Sequence, residues 1–185
     1  MGSDYDLPHT IADKNVCYIC FTDNPDLAPN GLTLKFSTPT FPGDIVRSSR
    51  EQKIRAHRWL GNFTKSIYID SSVQLKVSPT ELWDYLMPDI TLLFGAFHHS
   101  FRDTIEDEFR EVFKAGLDDK FILAEQIESY EEFHPSILQE KPIWGGLLAR
   151  RHNDPGCIEV MEEWFANVIR YSRRDQLSLP FALSK

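Results

Sequence analysis

Ser66-Ile-Tyr-Ile-Asp70-Ser-Ser72 is a short apolar run that closes on a carboxylate and two small hydroxyl residues. β-Branched and aromatic residues ahead of a polar turn read as a β-strand, and in α/β proteins ligands bind at the carboxyl ends of strands. Upstream, Ser49 followed three residues later by Gln52 predicts a capping box and a helix to about Leu60, with Gly61 as a left-handed stop. Downstream, Ser78-Pro79-Thr80-Glu81 predicts a helix to about Met87, and Thr91 to Phe97 a buried strand. Ile105, Phe109, Val112 and Phe113 recur at helical spacing up to Gly116, and a further helix is expected over Asp118 to Glu132. Ile143 to Ala149 reads as a strand, and Asp154-Pro155 caps a helix whose inner face is Ile158, Met161, Phe165, Val168 and Ile169. A terminal helix is expected from about Leu179. Nearer the start, Val16 to Phe21 is a strand ending in Thr22-Asp23-Asn24-Pro25, and Leu32, Leu34 and Phe36 mark a short strand within a Pro- and Gly-punctuated stretch. Strands alternating with helices imply an α/β fold, one mixed or largely parallel sheet flanked by helices, in a single domain over residues 1–185.

Composition narrows the function classes. The 185 residues are 42% hydrophobic and 12% aromatic, enough for one substantial core. With 28 acidic against 20 basic residues the net charge is −8, so no global positive field invites a nucleic acid or an anionic membrane, and an anionic ligand must meet a local basic cluster. Met1-Gly-Ser-Asp-Tyr-Asp6 lacks the basic start and apolar run of a signal peptide, and no stretch reaches the ~18 apolar residues of a membrane span. Three cysteines argue against a disulfide framework, and a reducing, cytoplasmic location is expected. Cys17 and Cys20, three apart in a predicted strand, point to opposite faces and read as packing residues.

Asp70 is the leading candidate for chemistry. Many sugar-nucleotide enzymes place Asp-X-Asp at such a strand end, because a hard divalent cation bridging a diphosphate needs oxygen ligands. Asp-Ser-Ser offers one carboxylate, so either ligands come from elsewhere or basic side chains hold the diphosphate; the plainer alternative is a turn cap. Basic groups occur at element ends: Lys53, Arg55 and His57; Arg150, Arg151 and His152; Arg173 and Arg174. The planar guanidinium fork suits phosphate oxygens, though solvated surface charge is the competing reading. His98 and His99 follow a predicted strand, with Arg102 after them; joined by His152 and Asp70 they would suggest a zinc hydrolase, without any His-Glu-X-X-His spacing to support it. Asp175, beside Gln176, is the second carboxylate able to stabilise positive charge at a sugar's anomeric carbon, or else to cap the terminal helix.

Taken in order, Lys53-Ile-Arg-Ala-His57, Ser66-Ile-Tyr-Ile-Asp70, His98-His-Ser-Phe-Arg102, Arg150-Arg-His-Asn153, Glu163-Trp164 and Ser172-Arg-Arg-Asp-Gln-Leu-Ser178 resemble the glycosyltransferase-like family of plant mucilage hexosyltransferases and bacterial relatives, formerly catalogued as a domain of unknown function. The resemblance implies a GT-A-like fold, a nucleoside diphosphate sugar as donor, a glycan or lipid-linked acceptor as in polysaccharide biosynthesis, and a divalent cation, manganese or magnesium. By that resemblance Asp175 and Gln176 are catalytic and lie by the donor sugar. By it, too, Lys53 contacts the donor; His57, Asp70, Ser72, Arg102, Arg151 and Arg174 are the further residues expected to bind the donor and its diphosphate, Asp70 and His152 to hold the metal, and His98, His99 and Asn153 to contact acceptor or sugar. Gly2-Ser-Asp-Tyr-Asp-Leu-Pro8 resembles the family segment just after its first strand. That strand is therefore expected to be missing, with the start truncated or the nucleotide pocket incomplete. The alternatives to hexosyl transfer are a metal-dependent hydrolase and a non-catalytic sugar-binding domain.

Overall fold

The computed structural model describes residues 10–11 and 13–185, so the Gly2–Pro8 segment lies outside the described residues. In chain order, strands β1 (Ile19–Thr22) and β2 (Thr33–Phe36) precede helices α1 (Ile45–Ile54) and α2 (Ala56–Trp59). Strand β3 (Ser66–Ile69), helix α3 (Pro79–Leu86), strand β4 (Phe94–His98) and helices α4 (Ile105–Lys114) and α5 (Lys120–Phe133) follow. Strand β5 (Ile143–Arg150), helix α6 (Pro155–Arg170) and helix α7 (Leu179–Leu183) complete the chain, with a 3-10 turn at Asp175–Leu177 before the last helix.

The mixed α/β class is as expected, but the single sheet is not. β1 and β2 form a parallel pair of their own, and the main sheet has three strands in the order β3-β5-β4, with β5 antiparallel to both neighbours. The crossover through α3 sets β3 and β4 parallel, and β5 fills the slot between them from the opposite direction. Cross-strand neighbours share a face. Tyr68, Leu148 and Ala96 therefore face α1 and α6, where Leu148 packs with Ile54, Met161, Trp164 and Val168. Ile67 and Ala149 face α3 and its Trp83 and Met87. Each fully buried Leu or Ile stabilises by roughly 2 kcal/mol, and a further cluster, with Phe109, Tyr130, Leu177 and Phe181, joins α4 and α5 to the C-terminal segment.

Two helix boundaries differ from the sequence reading for local reasons. α1 starts at Asp44, whose carboxylate accepts from Arg47 N, while the Ser49 hydroxyl sits inside the helix and donates to Val46 O. The helix also stops at Arg55, because the buried Arg150 guanidinium takes the carbonyls of Lys53 (2.7 Å) and Ile54 (3.0 Å). Gly61 is not left-handed, since positive φ among the described residues falls at Asn30, Gly31 and Gly116. The Ser78 capping box of α3, the Asp154 cap of α6 and the Gly116 stop after α4 are present as expected. Phe113 and Ile169, expected inside, are 59% and 39% exposed. Cys17 precedes β1 and is exposed, so of that pair only the half-buried Cys20 lies in a strand.

Candidate functional site

The rim formed by the carboxyl ends of β3 and β4 and the start of β5 gathers most of the charged candidates. Asp70 continues β3, its N–H donating to Gly146 O, and two residues back the Tyr68 hydroxyl donates to Asp70 Oδ1 at 2.5 Å. Tyr68 faces α1, and the Lys53 ammonium lies 5.2 Å from its ring centroid. Lys53 in turn reaches Asp175 Oδ2 at 2.5 Å, an ion pair without the alignment of a hydrogen bond. Arg50, one turn earlier on α1, places Nε 3.3 Å from Asp175 Oδ1.

Gly145 makes this packing possible. β5 carries a bulge, for Ala96 pairs with Leu148 while the next residue, Phe97, pairs with Trp144. At the bulge the backbone comes so close to α1 that a Cβ on Gly145 would stand 2.9 Å from Lys53 Nζ and 3.5 Å from Asp175 Oδ2. Of the polar residues that α1 buries, Lys53 faces this cluster, while Ser48, Glu51 and Gln52 bond to Phe41, Thr40, Arg55 and Ser37.

The segment carrying Asp175 is fixed by backbone clamps. Asp118 Oδ2 accepts from the Ser172 hydroxyl (2.6 Å) and from Arg173 N (2.8 Å), Gln126 Oε1 accepts from Ser172 N, and Trp164 Nε1 donates to Asp175 O at 2.8 Å. Burial pushes the Asp175 carboxyl up, but the Lys53 ammonium and the Arg50 guanidinium outweigh it and hold the pKa below the usual carboxylate value. Tyr68 moves the other way: burial, and then the Asp70 carboxylate, raise its hydroxyl well above the usual range. At neutral pH the cluster therefore presents an ionised carboxylate and a neutral phenol.

Beyond Asp175 the network continues through Gln176, whose amide donates to Glu108 Oε1 at 3.4 Å. Glu108 is buried on α4 and meets Arg102 Nε at 3.4 Å and Arg174 Nη2 at 3.9 Å. The structure thus brings together Lys53, Asp175, Gln176, Arg102 and Arg174, adds Tyr68 and Asp70 through Lys53, and sets His98 on the same face of the sheet at the same rim. His98 is exposed, and His99 accepts from Phe101 N through Nδ1. Ser72 lies exposed in the turn after Asp70.

Four candidates lie elsewhere. His152 bonds Ser66 Oγ (3.0 Å) and Leu60 O (3.1 Å), at the start of β3, roughly 13 Å of strand from Asp70. The two residues cannot share a metal, and His152 cannot join His98 and His99 in a zinc site. Its burial, with Arg150 nearby, lowers the imidazole pKa, as suits a neutral hydrogen-bonding group. His57 is held by Glu162 of α6 (2.8 Å), alongside Arg55 and Arg58. Arg151 donates to Leu92 O and lies over the Trp83 ring at 5.5 Å, and the Asn153 amide donates to Phe63 O at 2.7 Å; both belong to the far end of β5. Arg150, grouped with them by sequence, is a helix cap rather than an anion ligand. Among the described residues no three His, Cys, Asp or Glu side chains converge as a metal site. Asp70 offers a single carboxylate, one oxygen already engaged, so these residues do not by themselves build a cation cage. A cavity of about 310 Å³ between α5, α6 and α7, lined by Tyr130, Glu163, Asn167, Arg170 and Phe181 among others, contains none of the candidate groups. The chemistry-bearing cluster is a packed set of ions apart from that cavity, and its charge pattern is the better guide to function.

Sequence reading missed Arg50, Glu108 and the close approach at Gly145. Arg50 had a signal, being one helical turn from Lys53. Glu108 had one too, since it falls inside the apolar stripe Ile105, Phe109 and Val112. Gly145 had none, because the bulge is a tertiary feature.

At one rim of its sheet this α/β domain gathers the carboxylates of Asp70, Asp175 and Glu108 with the cations Arg50, Lys53, Arg102 and Arg174. The family model described as TOD1/MUCI70, glycosyltransferase-like domain, matches residues 41–185, and the chain belongs to that family. The match excludes β1 and β2 and includes every residue of the cluster. No curated protein and no solved structure matches the chain. No helix of the described residues is long and apolar enough to cross a membrane.

Proposed function

We propose that the chain transfers a hexosyl group from a nucleoside diphosphate sugar to a hydroxyl of a glycan or lipid-linked acceptor, on a GT-A-like scaffold. The observation that carries this reading is the convergence of Lys53 and Arg50 on the buried carboxylate of Asp175, at the rim where β3 ends in Asp70. Departure of the diphosphate leaves positive charge on the donor sugar and puts negative charge on the leaving group. An ionised carboxylate in a low-dielectric setting stabilises the first, and fixed guanidinium and ammonium groups stabilise the second. Asp175 is 3% exposed, so Gln176, half-buried beside it, is the group that touches the sugar, while Asp175 sets the field and holds Lys53 and Arg50 in place. Arg102 and Arg174, the more open cations, receive the diphosphate, and Lys53, 2% exposed behind them, adds its charge without touching it. His98 and His99, at the end of β4, face the acceptor. Where a manganese or magnesium ion takes part, Asp70 would hold it, and the ion would neutralise charge on the leaving diphosphate.

Calorimetry with a panel of nucleoside diphosphate sugars, with and without manganese, tests the reading. Binding of at least one donor, lost in Arg174→Ala, is expected, and a folded protein that binds none overturns it. Asp175→Asn separates transfer from mere binding: donor hydrolysis unchanged by that substitution leaves a sugar-binding domain as the better description.

A further inference from the structure

The four cations of the cluster are shared between two buried carboxylates in a particular way. Asp175 faces Lys53 and Arg50, and Glu108 faces Arg102 and Arg174. Lys53, Asp175 and Glu108 are each no more than 5% exposed in their side chains, whereas Arg102 and Arg174 are 28% and 30% exposed and so form the open side of the cluster. The contacts to Glu108, at 3.4 and 3.9 Å, are Coulombic without being hydrogen bonds, and the Nε donors of Arg50, Arg102 and Arg174 are buried with no hydrogen-bond acceptor among the described residues. Arginine normally pairs with a carboxylate through two short parallel hydrogen bonds. Here two arginines are held near one acid without either forming that fork.

We infer that Glu108 is the resident counter-anion of the donor site: it holds Arg102 and Arg174 in place, and a diphosphate must compete with it for both. This rests on the donor reading above. The physics is a competition for the same donors. Two guanidinium groups this close repel unless an anion lies between them, and Glu108 supplies it. A diphosphate can reach both arginines at once and offers oxygens at hydrogen-bond distance, which Glu108 does not. A single phosphate can also meet both arginines, as the Glu108 carboxylate does, but with fewer oxygens and less charge than a diphosphate. Glu108 therefore lowers affinity for either anion. It is a positioning residue, not a catalytic one.

The test uses inorganic pyrophosphate and orthophosphate as probes, titrated by calorimetry into the full chain and into Glu108→Gln, with thermal melts of the free proteins. Removing the competing charge is expected to tighten pyrophosphate about tenfold, to tighten orthophosphate in the same direction, and to lower the melting temperature of the free protein. Tighter binding in a less stable protein is a combination that a purely structural residue does not produce. Glu111→Gln, which removes an acid 3.8 Å from Arg102 whose side chain is 40% exposed, is expected to change either affinity less than about twofold, separating a local effect from net charge. Should Glu108→Gln not fold, Glu108→Asp carries the test, because retracting the carboxylate by one methylene shifts both affinities in the same direction. Unchanged or weaker pyrophosphate binding in the folded variant overturns the inference while leaving the donor site intact. If the wild-type chain binds no pyrophosphate, or Arg102→Ala and Arg174→Ala bind it as the wild type does, the donor reading fails and this inference falls with it.

Discussion

Lys53 and Asp175 are a pair that stabilises only while both are present. Removing the ammonium leaves a carboxylate 3% exposed with Arg50 as its nearest compensation, and the loss for Lys53→Met is expected to be about 3 kcal/mol in urea unfolding. The same pair sets an acid limit. Because the folded Asp175 pKa lies below its ordinary value of 3.8, its contribution is fully present above that value and is lost as pH falls through the folded pKa. Asp175→Asn should flatten that limb of a stability-versus-pH curve. His152 acts at a higher pH with the same sign. Its folded pKa is lowered from 6.5, so the unfolded chain takes up the proton first and stability declines as pH falls below about 6.5. His152→Gln should remove that decline without altering pyrophosphate affinity, since His152 sits at the opposite end of β3 from the cluster; a coupled change would place it in the site.

At the scale of elements, β5 has to bend to admit a lysine. Gly145→Ala puts a methyl 2.9 Å from Lys53 Nζ, and the ammonium, at the end of a flexible side chain, must shift against Asp175 to make room. The expected result is a folded protein, less stable by roughly 1–3 kcal/mol, with pyrophosphate affinity reduced several-fold; an alanine variant that binds as the wild type would detach Lys53 from the anion site. Elements specified by their own residues were legible in the sequence. Ser78-Pro79-Thr80-Glu81 and Asp154-Pro155 start helices because the bonds they make are local, and Ser66–Ile69 is a strand because its residues pack on both faces. Features imposed from a distance were not legible. The break at Arg55 depends on Arg150, about a hundred residues later in the chain, capping carbonyls of α1. The placement of β5 between β3 and β4, like the bulge at Gly145, is decided by tertiary pairing. The candidate site divides along the same line: the residue types Lys53, Asp70, Asp175, Arg102 and Arg174 stood out, whereas His57, His152, Arg151 and Asn153 carry the same chemistry but face other partners. Charge type is written in the sequence, and which face of the fold receives it is not.

For the molecule as a whole, the two sheets are unequal. The three-strand sheet is sandwiched by buried clusters on both faces, and it belongs, with the entire charged rim, to the family-matched portion. The parallel pair β1–β2 has its own register and is joined to the remainder by a few bonds, such as Lys35 Nζ to Trp59 O (2.8 Å) and Gln52 Nε2 to Ser37 Oγ (2.9 Å), and by the edge-on contact of Phe21 with Trp59. No residue of β1 or β2 except Thr22 is fully buried. Sub-global opening follows where few buried contacts must be broken. Native-state hydrogen exchange should therefore find the amides of Ile19–Thr22 and Thr33–Phe36 exchanging together, far ahead of β5. Uniform protection across both sheets would contradict that. Since Trp59 ends the short helix that follows Lys53, detachment of this outer ladder would slacken the α1–α2 elbow, and a bound diphosphate, by pinning Lys53, would slow the ladder's exchange without touching it.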